Sequence, residues 1–158
     1  MKLNLEALKD NSFWQNKGYE LPNFDIESIR ENTLKAPIWL HFGAGNIFRA
    51  FPAALQQNLI NCGLSDKGII VCESFDEEII HKAYRPHDNL SIVVTLKADG
   101  TMAKKIVGSI VHSITAMDNM EELERIFTSP SLQIVSFTIT EKGYSLVGPS
   151  GSYQKDVN

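Results

Sequence analysis

The chain has 158 residues and a formal charge of −4, with 43% apolar and 22% charged residues, the profile of an ordinary globular domain. One hydrophobic core fits this length, and the acidic balance excludes the basic stripe of a nucleic-acid binder. No run approaches the roughly 18 apolar residues of a membrane helix, and two cysteines, Cys62 and Cys72, are too few for a disulfide framework. The opening Met1 to Glu6 lacks the apolar run of a secretory signal, so the expected location is cytoplasmic, with no nucleic-acid and no membrane partner.

Residues 1–36 are polar and broken by Gly18, Pro22 and Pro37. They read as a lead-in packed on the domain at 37–158. Asp25 is placed to cap a helix over 26–35, and Pro37 stops it. Ile38 to Phe42 is a short apolar run bounded by Pro and Gly, the pattern of a buried strand. Gly43-Ala44-Gly45-Asn46 follows, then a helical pattern from Ile47 to about Asn61. There Phe48, Phe51, Leu55, Leu59 and Ile60 are spaced to face a sheet, and Pro52 predicts a kink. Gly68 to Glu73 is a second buried strand. Asp76 to Ala83 reads as a short helix with its acids at the favourable N-terminal end, and 85–89 as a loop. Leu90 to Lys97 and Thr101 to Val111 flank Ala98-Asp99-Gly100 as a hairpin. Asp118 and Glu121 form a capping-box start to a helix reaching about Phe127. Leu132 to Ile139 is another buried strand, and 148–152 is loop-like. The expected fold class is α/β, Rossmann-like, with a mostly parallel sheet, flanking helices and a β-hairpin insertion near 90–111.

Strand, Gly43-Ala44-Gly45, then helix is the order a dinucleotide site uses. The first glycine makes the tight turn, and the second lets the backbone approach a pyrophosphate that the helix N-terminus favours. The third glycine of G-x-G-x-x-G is replaced by Phe48. Glu73 ends the second strand, 28 residues after Gly45, where a carboxylate can accept from ribose hydroxyls. Arg49, in the first turn after the loop, is suited to a phosphate, or to a salt bridge that holds the loop. The same strand, glycine pair and acid serve an S-adenosylmethionine-dependent methyltransferase, a non-catalytic NAD-binding domain, or a turn without a ligand. His41, His81, His87 and His112 lack metal-ligand spacing, and Cys62 and Cys72 lie on different elements, so no metal site is expected. His41 reads as a hydrogen-bonded sheet residue, and Asp76-Glu77-Glu78 as a solvated helix start.

The stretch Trp39-Leu40-His41-Phe42-Gly43-Ala44-Gly45-Asn46-Ile47-Phe48-Arg49-Ala50-Phe51 resembles the opening motif of the long-chain polyol dehydrogenase family, which includes mannitol 2-dehydrogenases and fructuronate reductases (mannonate oxidoreductases). Ser136-Phe137-Thr138-Ile139-Thr140-Glu141-Lys142-Gly143-Tyr144 resembles its second signature, on the strand under the nicotinamide half of the cofactor. The family's usual His before the Arg is Phe48 here, and the His often following the Ala is Phe51. The resemblance implies an N-terminal Rossmann domain whose cofactor is NAD, bound by Gly43, Ala44, Gly45, Asn46, Ile47, Phe48, Arg49, Glu73, Thr140 and Glu141. It implies a hydride transfer to or from a hexuronate (fructuronate/mannonate first) or a polyol, with mannitol/fructose or mannitol-1-phosphate next. The small-molecule partner would be held through a second domain, absent from these residues, that carries the catalytic Lys with its Asn and His partners. No catalytic residue is therefore expected in this chain, and Lys142 is not assigned that role. Self-association through an exposed interdomain face is expected.

Overall fold

Residues 2–139 are described by a computed structural model, in which four apolar runs of the chain become one parallel sheet. In chain order the elements are α1 (Leu5–Leu8), α2 (Asn11–Asn16), β1 (Tyr19–Glu20), α3 (Ile26–Lys35), β2 (Trp39–Phe42), α4 (Asn46–Ala50), α5 (Pro52–Asn61) and β3 (Ile69–Glu73). A π-helical turn, Ile80–Tyr84, and a 3-10 turn, Arg85–His87, lead into β4 (Ser91–Leu96), β5 (Met102–Val107), β6 (Ile110–Thr115), α6 (Met120–Phe127) and β7 (Ile134–Phe137). The parallel sheet has the order β6-β3-β2-β7. Strands buried on both faces read as continuous apolar runs, and all five residues of β3 are buried. No helix of the described residues is long and apolar enough to cross a membrane.

Helix α3 forms over the expected residues because Asp25 accepts from the amides of Glu27 (3.0 Å) and Ser28 (3.4 Å), the N-cap pattern. At Pro52 the expected kink is a full break. Phe51 leaves helical geometry at φ −120°, and Pro52 opens a new helix, at the first position where its missing N–H costs nothing. The break resets the helical register, so the apolar face read from spacing is only half right. Phe48 and Ile60 are buried, whereas Phe51, Leu55 and Leu59 are exposed, and Ala53, Gln56 and Gln57 take the inward positions. The stretch read as a helix over 76–83 becomes a π-helical turn over Ile80–Tyr84 that buries Ile80 and Tyr84, and the stretch read as a loop over 85–89 opens with a 3-10 turn at Arg85–His87. At α6 the cap is Asn119 without a side-chain capping bond to the helix. Asp118 accepts from the Thr115 hydroxyl at 3.3 Å instead, so the capping box does not form.

The run over 101–111 is two strands. β5 pairs antiparallel with β4 and parallel with β1, making a small second sheet, while β6 pairs parallel with β3. The switch happens at Gly108-Ser109. A Cβ at Gly108 would lie 2.9 Å from the Ile26 Cδ1, so a larger residue there would need Ile26 of α3 to shift aside. Gln57, fully buried on α5, donates to the Ile106 carbonyl (2.8 Å) and accepts from the Gly108 amide (2.7 Å). Ser109 donates to the Ala53 carbonyl at 2.6 Å. The lead-in supplies β1 and packs Leu8 and Trp14 against Leu90 and Ile106.

Gln57→Leu keeps the volume but orphans two buried backbone groups. With roughly 1–3 kcal/mol per unsatisfied group, we expect a loss of about 3 kcal/mol in chemical denaturation. An unchanged midpoint would show that the strand switch does not depend on Gln57.

Candidate functional site

The carboxyl ends of β2, β3 and β7 meet at the glycine loop. Gly43 has φ +101°, and its amide donates to the Cys72 carbonyl at 2.9 Å. A Cβ there would lie 2.6 Å from Thr138 Oγ1 and 2.8 Å from the Thr138 carbonyl oxygen. Glycine at 43 is thus a requirement of the fold. Gly45 is different. Its backbone is ordinary extended chain (φ −71°, ψ 177°), and a Cβ would meet nothing within 4 Å. Among the described residues the space over Gly45 is open, and none of them forbids a side chain there. The amides of Gly45, Asn46 and Ile47 make no hydrogen bond to another described residue.

Buried Ala44 ties the loop down from beneath. Its amide donates to Glu73 Oε2 at 2.7 Å, and its carbonyl accepts from the Tyr84 hydroxyl at 2.8 Å. Burial pushes the Tyr84 phenol well above its usual range, which keeps it a donor. Glu73 Oε1 accepts from the amides of Ser74 and Phe75, each at 3.0 Å. Three of the roughly four acceptor positions of a carboxylate are therefore filled by backbone, which leaves about one for a further donor at the cleft. The acid is a loop anchor as well as a strand-end carboxylate, and spacing alone does not reveal that second task.

The remaining residues named from sequence divide clearly. Arg49 donates to Asn46 Oδ1, and its guanidinium lies over the Tyr84 ring at 5.5 Å from the centroid. Its buried Nε has no partner among the described residues, and among them it forms no ion pair. Ile47 is exposed, whereas Phe48 is fully buried in the core and stacks on His41 with ring centroids 4.0 Å apart. Phe48 presents its ring to the core and not to the cleft. Thr140 and Glu141 lie outside the described residues.

A partly buried hydrogen-bond chain joins the two sequence motifs. Trp39 Nε1 donates to Ser136 Oγ at 2.7 Å, Ser136 Oγ is 2.7 Å from His41 Nδ1, and His41 Nε2 is 3.2 Å from Thr138 Oγ1. Thr138 Oγ1 in turn donates to the Gly43 carbonyl at 3.3 Å. Each hydroxyl has one hydrogen, so the chain closes with Nε2 protonated and Nδ1 accepting from Ser136. Burial lowers the His41 pKa from 6.5 to about 4, which suits this neutral tautomer. Tyr84, Ser136 and Thr138 were not singled out as site residues from sequence. Ser136 and Thr138 lay within a recognised motif, while Tyr84 lay between the stretch read as a helix over 76–83 and the loop over 85–89.

No family model matches the chain. D-mannonate oxidoreductase of Thermotoga maritima is 46% identical over 155 residues, covering 96% of this chain and 29% of that protein. Mannitol 2-dehydrogenase of Pyrenophora tritici-repentis is 32% identical over 127 residues, 78% of this chain and 22% of that protein. Among solved structures, the ternary complex of Pseudomonas fluorescens mannitol 2-dehydrogenase with NAD and D-mannitol superposes with a TM-score of 0.77 at 25% identity, covering 97% of this chain and 30% of that one. The chain belongs to the mannitol and mannonate oxidoreductase family. It spans less than a third of the length of these family members. As in other Rossmann-type members, the sheet order here reverses between β2 and β7, where such sheets bind ligands at the strand ends.

The His41 pKa sets a pH dependence of stability. Folded His41 refuses a proton that the unfolded chain takes up at its ordinary 6.5. This contribution is fully present above pH 6.5 and falls as pH drops toward 4, by up to about 3 kcal/mol. His41→Gln should flatten the slope between pH 6.5 and 4 in urea titrations. Parallel slopes in the two proteins would show that His41 is protonated normally when folded.

Proposed function

We propose that this chain is the NAD(H)-binding portion of an oxidoreductase that moves a hydride between nicotinamide and a hexuronate, fructuronate/mannonate first, or a related polyol. The observation that carries the cofactor reading is the open space over Gly45. Gly43 is dictated by its neighbours, but the fold asks for no glycine at 45, and a ligand backbone approaching the loop would. The amides of Gly45, Asn46 and Ile47, free of acceptors among the described residues, suit the oxygens of a pyrophosphate. Glu73, with about one acceptor position left, suits a ribose hydroxyl, and the half-buried Arg49 beside Asn46 suits a phosphate. The sugar-acid preference rests on the 46% identity to a D-mannonate oxidoreductase.

When bound, the dinucleotide supplies the hydride; the residues of this chain bind and orient it. Ala44, Glu73 and Tyr84 hold the loop's lower surface. Thr138, fixed by His41, holds the turn at Gly43. The proton transfer that balances the hydride is assigned to polypeptide outside this chain, as is the contact with the sugar.

Calorimetric titration tests the reading in two ways. NADH should bind, at least about tenfold more tightly than NADPH, a margin of about 1.4 kcal/mol, because the Glu73 carboxylate repels a 2′-phosphate. S-adenosylmethionine should not bind. Equal affinities for the two nicotinamide cofactors would remove Glu73 from its proposed role, and binding of S-adenosylmethionine alone would replace the reading with methyl transfer.

Gly45→Val places its side chain in open space. The melting temperature should stay within a degree or two of the parent while NADH affinity falls at least about tenfold. Full affinity in the folded variant would mean that the loop is only a turn.

A further inference from the structure

Among the described residues, Asp88 (φ 52°) and Asn89 (φ 64°) alone combine a side chain with left-handed backbone. They end the 3-10 turn that follows Tyr84. The Asp88 amide donates to the Arg85 carbonyl at 3.3 Å, and the Asn89 amide donates to the Tyr84 carbonyl at 3.0 Å. This pair of bonds is a Schellman ending, whose first left-handed position is usually glycine, because a Cβ is crowded there. Asp88 holds that position instead. A side chain in the left-handed region persists only where its surroundings outweigh the strain, so the reason for aspartate lies in its carboxylate.

That carboxylate reaches the lead-in. Asp88 Oδ2 accepts from the Leu5 amide at 2.9 Å, across 83 residues of sequence. The Asp88 carbonyl accepts from Arg30 Nη2 at 3.1 Å, and Arg30 Nε donates to the Val111 carbonyl at 3.0 Å. His87 Nδ1 donates to the Leu3 carbonyl at 2.8 Å. Leu3, Leu5 and Arg30 thus grip the turn from the N-terminal side, while buried Asn89 fixes it to β6 by accepting from the Ser113 hydroxyl at 2.7 Å. Tyr84 stands just before the turn and is held at two points. Its carbonyl takes the Asn89 amide, and its hydroxyl donates to the Ala44 carbonyl at 2.8 Å. An unbroken series of contacts therefore runs from Leu5 through Asp88 and Tyr84 to the glycine loop.

We propose that Asp88 is a positioning residue for the glycine loop, and that the lead-in uses it to set cofactor affinity. The carboxylate ties the left-handed turn to Leu5; the turn fixes Tyr84; Tyr84 fixes Ala44. With the bond to Leu5 gone, Tyr84 gains freedom and the loop must be ordered when its ligand arrives, which weakens binding. The effect on affinity rests on the reading of the loop as a cofactor site, whereas the mechanical link stands on the contacts alone.

Amide hydrogen exchange by NMR reads the link without a ligand, and calorimetry with NADH reads its effect on binding. Asp88→Gly removes the carboxylate but suits the left-handed backbone. The Ala44 amide should then exchange at least about tenfold faster than in the parent, with the β3 amides unchanged. Leu5→Pro deletes the same bond from its other end. Leu5 opens α1 after an extended Asn4, a position that accepts proline. It should reproduce the faster Ala44 exchange, and the double variant should add little to either alone. Asp88→Asn keeps an acceptor and tolerates the turn, so it should retain parent exchange. NADH affinity should fall about three- to tenfold in Asp88→Gly and Leu5→Pro and stay near the parent in Asp88→Asn. Parent-like Ala44 exchange in both of the first two variants would overturn the proposal. So would equal acceleration of Ala44 and β3, the mark of a merely structural residue, or parent-like NADH affinity in both. Selective Ala44 acceleration in a chain whose parent binds no NADH would support the link and refute the cofactor reading.

Discussion

A carboxylate pulled in against backbone amides at a strand end is what the cofactor-side architecture hangs on. Glu73 is nearly buried, and an unpaired charge there would be costly. It is tolerated because three N–H groups, from Ala44, Ser74 and Phe75, point at its oxygens, and hydrogen bonds to ionised groups are the strong ones. This one side chain joins the loop after β2 to the loop after β3. With Ala44 fixed, Tyr84 reaches its carbonyl from the π-helical turn, and Gly43 is pressed against Thr138 from β7. Three strand ends are thereby locked around a loop whose next three amides make no hydrogen bond to another described residue.

Rigidity below and openness above belong together. The partly buried polar chain from Trp39 through Ser136 and His41 to Thr138 is satisfied at each member, and such networks specify one arrangement only when satisfied throughout. A loop held this way keeps its conformation before any ligand arrives, which reduces the ordering cost of binding. Because the scaffold, rather than the loop residues' own propensities, sets the geometry, Gly45 is free to be whatever a ligand requires.

The β-α-β framework was legible in the sequence because parallel strands buried on both faces leave uninterrupted apolar runs. Trp39–Phe42, Ile69–Glu73 and Ile134–Phe137 lie within the runs that predict them, but β7, read as a buried strand, is exposed at Ile134, Val135 and Phe137. The loop and its acid were legible because backbone geometry restricts residue type. Periodicity failed where two structural solutions share one pattern. The α4–α5 break depends on Phe51 leaving helical geometry, and the buried Gln56 and Gln57 are polar residues that hydrogen-bond inward. The split between β5 and β6 was hidden because both strands are β-rich and only Gly108, at a close approach to Ile26, marks the change of sheet. Tyr84 and Thr138 act at the site through contacts 40 and 95 residues distant in sequence, and no local pattern encodes these.

The central claim is that the amides of Gly45, Asn46 and Ile47 receive the pyrophosphate of a dinucleotide. Titrating the 15N-labelled chain with NADH and following each backbone amide tests it most directly. The account predicts that Gly45, Asn46 and Ile47 shift furthest, while the Gly43 amide, already bonded to the Cys72 carbonyl, moves little. Saturable shifts confined to other elements, with these three amides unmoved, would contradict it.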